Sequence, residues 1–364
     1  MNGRIGKRLL TPLTSVLALV AALCVGAVVI AINGDSPIQA YSSLLAGSFS
    51  NMHYLASTLS SATPLIFTGL GVAVAFKAGM ANIGAEGQLY MGAMAAAVVG
   101  IYLPAPSVIL IPAALLASFL AGGLWGTIPA TLKVRCNTNE VVTTLMLNYL
   151  AQLFTSYLVN YPLKAEGSAL GMTVNIQEAA KLPILYSGSR LNIGFLVAVA
   201  AAVLIAILFK HTSTGYEMRF SGENPNFARY IGINTDRRMI QGMFLGGGLA
   251  GMGGAILVLG IQYKFVQDIS PGYGFDGLTI ALMAAFNSYA VLPISILFGA
   301  LRAGGVTMEL NTNVPSELSQ VIQATIILFI AAQVSFSGYL NDLIIKVRHG
   351  FGRKQKGGGE LGDS

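Results

Sequence analysis

Charge is what this chain has least of: 10% of its 364 residues are Asp, Glu, Lys or Arg, against about 25% in soluble domains. A water-soluble globular protein is excluded, because its surface could not be built from so few. Cysteine is almost absent too. Cys24 and Cys136 offer neither a disulfide framework nor a metal-ligand spacing. The histidines, His53, His211 and His349, are scattered and form no triad or metal cluster, so nothing points to a membrane-embedded enzyme. The one Gly-Lys pair, Gly6-Lys7, runs into Arg8, which excludes a phosphate-binding Gly-x-x-x-x-Gly-Lys-[Ser/Thr] loop. No cofactor is expected on this chain.

What is present is apolar length. Hydrophobic residues make up 54% of the chain, and mean hydropathy is +0.68. Charge-free stretches run over 9–34, 87–132, 141–163, 191–209, 239–263, 277–301 and 318–341, each supplying one or two of the roughly 20-residue lengths that cross a bilayer. Proline and glycine breaks at Pro104, Pro106 and Asn287 to Pro293 divide the longer ones. The fold class is an all-α polytopic membrane protein with ten spans, near 10–33, 54–76, 83–103, 107–131, 140–161, 191–210, 239–261, 274–289, 291–308 and 318–345. Arg4, Lys7 and Arg8 ahead of the first run resemble a signal peptide. Leu9 to Ile32 is too long for that, and the span is read as retained.

Lys and Arg set the orientation, since cytoplasmic loops carry their excess. Alternation from a cytoplasmic N-terminus puts sixteen inside and four outside, the latter being Lys164, Lys181, Arg190 and Lys264, with Arg302 inside a span. The formal charge of +6 is thus a topology signal, and no nucleic acid is expected as a partner. Both termini fall in the cytoplasm. Residues 1–346 form one transmembrane domain with a large inward loop at 211–236, and 347–364 read as a disordered cytoplasmic tail.

Phe119-Leu120-Ala121-Gly122-Gly123-Leu124-Trp125-Gly126 returns as Phe244-Leu245-Gly246-Gly247-Gly248-Leu249-Ala250-Gly251. An acid heads the span after each: Glu140 with Thr143, Leu145 and Met146, and Asp276 with Thr279, Ala281 and Leu282. The two copies would run in opposite directions, as in the inverted repeats of transporters. Glycine-rich membrane helices that merely look alike are the plainer alternative.

Charges inside a span are costly and face a bundle interior or a water path. Glu86, Glu140, Asp276, Arg302 and Glu309 are such residues. Lys77 to Gln88, with three glycines among Asn82, Glu86 and Gln88, predicts irregular backbone, either a broken helix on a pathway or a Glu86 that pairs with a neighbour for packing. In the inward loop, Asn224 fits an N-cap, Pro225 the first helical position and Gly232 the end. Phe227, Tyr230 and Ile231 then share one face, to lie on the membrane or to enter a groove on a partner.

Asn82-Ile83-Gly84-Ala85-Glu86-Gly87-Gln88, the run Asn139 to Tyr149, Gly222-Glu223-Asn224-Pro225 with Ala228-Arg229-Tyr230, and Gly274-Phe275-Asp276-Gly277 resemble the permease subunits of bacterial ABC importers for nucleosides and simple sugars. The likeness spans about 10–346 and is nearest the longer permease of nucleoside importers with a basic-membrane-protein type binding lipoprotein. It implies an importer in the bacterial cell membrane with a second permease subunit, an ATP-binding subunit that holds ATP, and an extracellular binding lipoprotein, set in membrane lipid and carrying a nucleoside. Glu223, Asn224, Pro225, Phe227, Arg229 and Tyr230 would form the helix that couples to the ATPase. Asn82, Glu86, Gln88, Glu140, Asn148 and Asp276 would line the substrate path. A ribose-like sugar, or a self-contained ion-coupled transporter, are the alternatives.

Overall fold

The computed structural model describes residues 24–32 and 34–312, with 314, 315, 318, 320, 321, 324 and 325 beyond them. The chain divides into two units, Tyr41–Asn311 and a second made of Met1–Ala40 with Thr312–Ser364. Most of the second unit, including the bulk of the expected first and last spans and the tail 347–364, lies outside the described residues; 24–32 is helical.

Among the described residues every extended element is a helix, and β-pairing is limited to the isolated bridges Met172–Val266 and Ile184–Asn192. In chain order the helices are α1 (Pro37–Phe49), α2 (Met52–Lys77), α3 (Ala85–Tyr102), α4 (Ser107–Cys136), α5 (Glu140–Asn160), α6 (Gly194–His211), α7 (Ser213–Glu223), α8 (Pro225–Tyr230), α9 (Thr235–Ile256, prolonged by a π-turn at Leu257–Gln262), α10 (Tyr273–Met283) and α11 (Ser288–Asn311). Lipid demands this outcome, since a helix satisfies its own backbone where water cannot. Five of them, α2, α4, α6, α9 with its π-turn, and α11, are long and apolar enough to cross a membrane.

Side-chain caps mark the boundaries. Asn51 Oδ1 accepts from Tyr54 N–H at 3.0 Å to start α2, and Asn139 Oδ1 accepts from Val141 N–H at 2.9 Å to start α5, each meeting an orphan donor of the first turn. Pro104 and Pro106 separate α3 from α4 as the sequence predicts. The connection expected between the first two spans instead contains α1, which opens on Pro37 at the first helical position.

Helices α2 and α9 form the centre, their apolar windows 83% and 78% buried against 28% for α4. The most extensive joint is α4 on α9. Ser118 lies against Gly251, Gly122 against Gly247 and Gly126 against Met243, so the two helices run antiparallel. A Cβ on Gly122 would fall on the carbonyl oxygen of Gly247, and one on Gly247 on that of Gly122. The other contacts pair up likewise. Gly123 meets the Phe244 ring as Gly248 meets the Phe119 ring, and the two rings pack edge to face at 5.7 Å. The two copies of the glycine motif therefore pack on each other.

No side chain fits at that crossing. Gly122→Val should cost about 3 kcal/mol or more, the upper range for overpacking, read as a lower midpoint of heat-induced aggregation of the detergent-purified protein. Leu124→Val, at a position 62% exposed on the same turn, should leave the midpoint within the range of surface changes.

Candidate functional site

Between α2 and α3 the chain unwinds. Gly79 adopts φ +86°, and residues 80–84 are non-helical, the broken backbone that the sequence predicts. Buried amides must find partners here, and two asparagines supply them. Asn82 Oδ1 accepts from Gly84 N–H at 2.9 Å, and the Asn82 and Gln88 carboxamides bond each other reciprocally at 3.0 and 3.1 Å. From α5, Asn148 Oδ1 accepts from Gly87 N–H and its Nδ2 donates to the Ile83 carbonyl, both at 2.8 Å. Asn82, Gln88 and Asn148 are at most 2% exposed.

Glu86, 1% exposed, accepts from Gly274 N–H at 2.5 Å. Its carboxylate thus sits at the N-terminus of α10, where exposed N–H groups and the helix dipole favour negative charge. In the same first turn of α10, Asp276 Oδ2 accepts from Arg302 Nε at 3.0 Å and Nη2 at 2.6 Å, while Nη2 also donates to the Pro271 carbonyl at 3.1 Å. The guanidinium lies 4.5 Å over the Tyr273 ring, close enough for a cation–π contact. Arg302 and Asp276 keep 15% and 23% side-chain exposure. Glu140 lies apart, paired with Lys133 at 3.0 Å across the α4–α5 turn.

Of the six residues expected on the path, Asn82, Gln88 and Asn148 form one knot. Glu86 joins that knot to the first turn of α10, where Asp276 also stands, and Glu140 is separate. Sequence reasoning passed over Arg302 and Tyr273 as members of the site. The signal for Arg302 was its charge within a span; for Tyr273 there was none. Tyr273 also lines a cavity of about 310 Å³ at the other end of α2, with His53, Ser57, Ser60, Ser61 and Arg190. Three serines at i, i+3 and i+4 give α2 one hydroxyl-bearing face there.

The loop over 211–236, expected to face inward, carries two helices rather than the one expected. Thr212 Oγ1 caps α7 by accepting from Gly215 N–H at 3.1 Å, and Asn224 Oδ1 caps α8 by accepting from Phe227 N–H, also at 3.1 Å. Pro225 is the first residue of α8, and Gly232 at φ +88° follows its end. Tyr216, Phe220, Phe227 and Tyr230 stack in series at 5.5, 5.6 and 6.4 Å. Phe227 and Tyr230 are 47% and 85% exposed, so the outer end of this ladder is uncovered.

The loop is braced at its base. Arg229 donates to Thr235 Oγ1 at 2.8 Å and Asp236 Oδ1 at 2.9 Å, tying α8 to the start of α9, and Glu223 stands 3.8 Å from Arg219 on α7. Gly222 packs on α2: a Cβ there would strike the Lys77 carbonyl oxygen.

A family model described as branched-chain amino acid transport system / permease component matches residues 54–331. The chain is 36% identical over 332 residues to a guanosine ABC transporter permease protein of Bacillus subtilis, covering 90% of this chain and 94% of that protein. It is 35% identical over 337 residues to a glucose ABC transporter permease protein of Haloferax volcanii, covering 90% and 88%, and 32% identical over 337 residues to a nucleoside ABC transporter permease protein of Lactococcus lactis, covering 90% and 92%. The chain, helical with apolar spans over its described residues and matched from α2 onward, belongs to the branched-chain amino acid transport system / permease component family.

Proposed function

We propose that this chain is the permease subunit of an ATP-driven importer that carries nucleosides into the cell, working with a second permease subunit, an ATP-binding subunit and an extracellular binding lipoprotein. The observation that carries the reading is the uncovered aromatic ladder of α7 and α8, fastened to the end of α2, in a sequence without a phosphate loop. Nucleoside permeases among its relatives favour nucleosides; a glucose permease among them favours a sugar as the second reading.

In this proposal the chain crosses the bacterial cell membrane ten times, with both termini inside. The reciprocal α4–α9 contacts support an inverted repeat with these helices as its copies. Solute enters by the cavity of Ser57, Ser60, Ser61 and Arg190 and meets Tyr273 with the Asp276–Arg302 pair. Asn82, Glu86, Gln88, Glu140 and Asn148 serve it in the alternate state, when their present partners part. Their carboxamides and carboxylates match ribose hydroxyls and base edges in hydrogen-bonding capacity. Closure of the ATPase pair pushes Glu223, Asn224, Pro225, Phe227, Arg229 and Tyr230, and Gly222 passes the motion to α2.

Uptake of radiolabelled guanosine, in cells with and without the cognate ATPase, tests the reading. Uptake should vanish without the ATPase and be competed by other nucleosides; uptake sustained by an ion gradient alone would refute it, and competition by glucose alone would favour the sugar.

Changing Phe227 and Tyr230 together to Ala should weaken ATPase association by about 2 kcal/mol, as for other buried aromatic anchors. Recovery of the ATPase on co-purification reports this, with expression unchanged. Arg302→Gln should slow uptake by about tenfold or more, since hydrogen bonds to charged groups contribute about 1.5–3 kcal/mol, while ATPase recovery stays normal.

A further inference from the structure

At the end of the bundle that carries α7 lies a separate cavity of about 300 Å³, lined among others by Lys77, Phe209, Lys210, Arg219, Ser288 and Tyr289. Three cations converge there from three elements: Lys77 from the last turn of α2, Lys210 from the last turn of α6 and Arg219 from α7. Lys77 Nζ stands 4.5 Å over the Phe209 ring and within coulombic reach of Arg219. Among the described residues Lys210 makes no ion pair. The one acid close by, Glu223, stands 3.8 Å from Arg219 and also attracts Lys77, one negative charge against three positive, and Glu217 is taken by Arg238. Positive charge is therefore in excess around the cavity.

A second observation points the same way. Ser288 is 3% exposed, and its Oγ is buried without any hydrogen-bond partner, a state that a native hydroxyl rarely keeps. It is the first residue of the 24-residue α11, whose N-terminal N–H groups add to the positive field. The turn before it holds Ala285 and Phe286 in left-handed backbone at φ 46° and 58°, with Phe286 stacked on Phe76 at 4.6 Å. Non-glycine residues stay in that region only where their surroundings impose it.

Ammonium and guanidinium groups around an idle hydroxyl at a helix N-terminus match the donor set of a phosphate. The cations stand where α2 and α6 end, at a bilayer edge, and basic pockets between spans at that depth take anionic headgroups. We propose that this cavity binds a phosphate group, supplied by the headgroup of an anionic phospholipid, clamped between α2, α6, α7 and α11. Its occupancy would neutralise the repulsion between Lys77 and Arg219 and satisfy Ser288.

The test uses the full chain in detergent, with bound lipid counted by native mass spectrometry against added phosphatidylglycerol or zwitterionic phosphatidylcholine. The wild type should retain phosphatidylglycerol in preference. Lys210→Gln, an exposed position that folding tolerates, should weaken retention about fivefold, the share of one cation at a charged membrane surface. Ser288→Ala should weaken it a few-fold, and Arg190→Gln, at the other cavity, should leave it unchanged. Equal retention of the two lipids, or retention untouched in both Lys210→Gln and Ser288→Ala, would overturn the site. Displacement of phosphatidylglycerol by millimolar inorganic phosphate would overturn the lipid source and assign the cavity to a soluble phosphate compound. Binding is read directly, so the outcome is independent of which solute is transported.

Discussion

The structure depends on one backbone contact, the crossing of α4 and α9 at Gly122 and Gly247. In lipid no hydrophobic effect draws two helices together, and their association rests on van der Waals packing at close range. Bare backbone on both sides brings the axes nearer than any side chain would permit. The polar site inherits its position from this crossing. A Cβ on Gly126 would meet Gln88 Nε2 at 3.1 Å, and one on Gly247 would meet Gln88 Cδ at 3.3 Å, so the same glycines that join α4 to α9 leave room for the Gln88 carboxamide. Without that room the Asn82–Gln88 pair could not form, and the unwound chain at 80–84 would lose the side chain that folds it.

The polar groups of the spans then form two kinds of site. The carboxamides of Asn82, Gln88 and Asn148 each both donate and accept within the protein and are shielded from water. In low dielectric such a network is rigid when complete and costly when half-made, which favours two discrete arrangements over a continuum. Asp276 and Arg302 are different, since each keeps solvent access on one side while holding the other. Glu86 connects the two kinds, with its backbone in α3 and its carboxylate on α10.

Much of the fold was legible because membrane helices announce themselves by what they omit. Runs without charge located α3 to α6, α9 and the α10–α11 region, and prolines marked the α3–α4 break. Asn224-Pro225 located α8 to the residue, since capping is local chemistry. Helix α1 was missed because its sequence is too short and too mixed for a span, and α7 because Ser213 to Glu223 has no strong apolar stripe. The site was legible as a set of polar residues without an indication of what each would touch. Glu86 finds its partner 188 positions away, and Asn148 reaches back 61 to Gly87. No spacing rule reaches across such separations, and Glu140, alike in sequence to Asp276, met Lys133 across the α4–α5 turn instead.

The joint at Gly222 has a mechanical meaning. A Cβ on Gly222 would fall on the Lys77 carbonyl oxygen and the Gly79 nitrogen, and Asn82 follows Gly79 by three residues. At about 3.5 Å per residue that leaves roughly 10 Å of chain between them. The unwound segment has no hydrogen-bond ladder of its own and takes its shape from the side chains that hold it, Asn82 Oδ1 on the Gly84 N–H and Asn148 Nδ2 on the Ile83 carbonyl. The stretch from Gly222 to Asn82 is therefore short but compliant, a tether with its left-handed hinge at Gly79, drawn taut by the two asparagines.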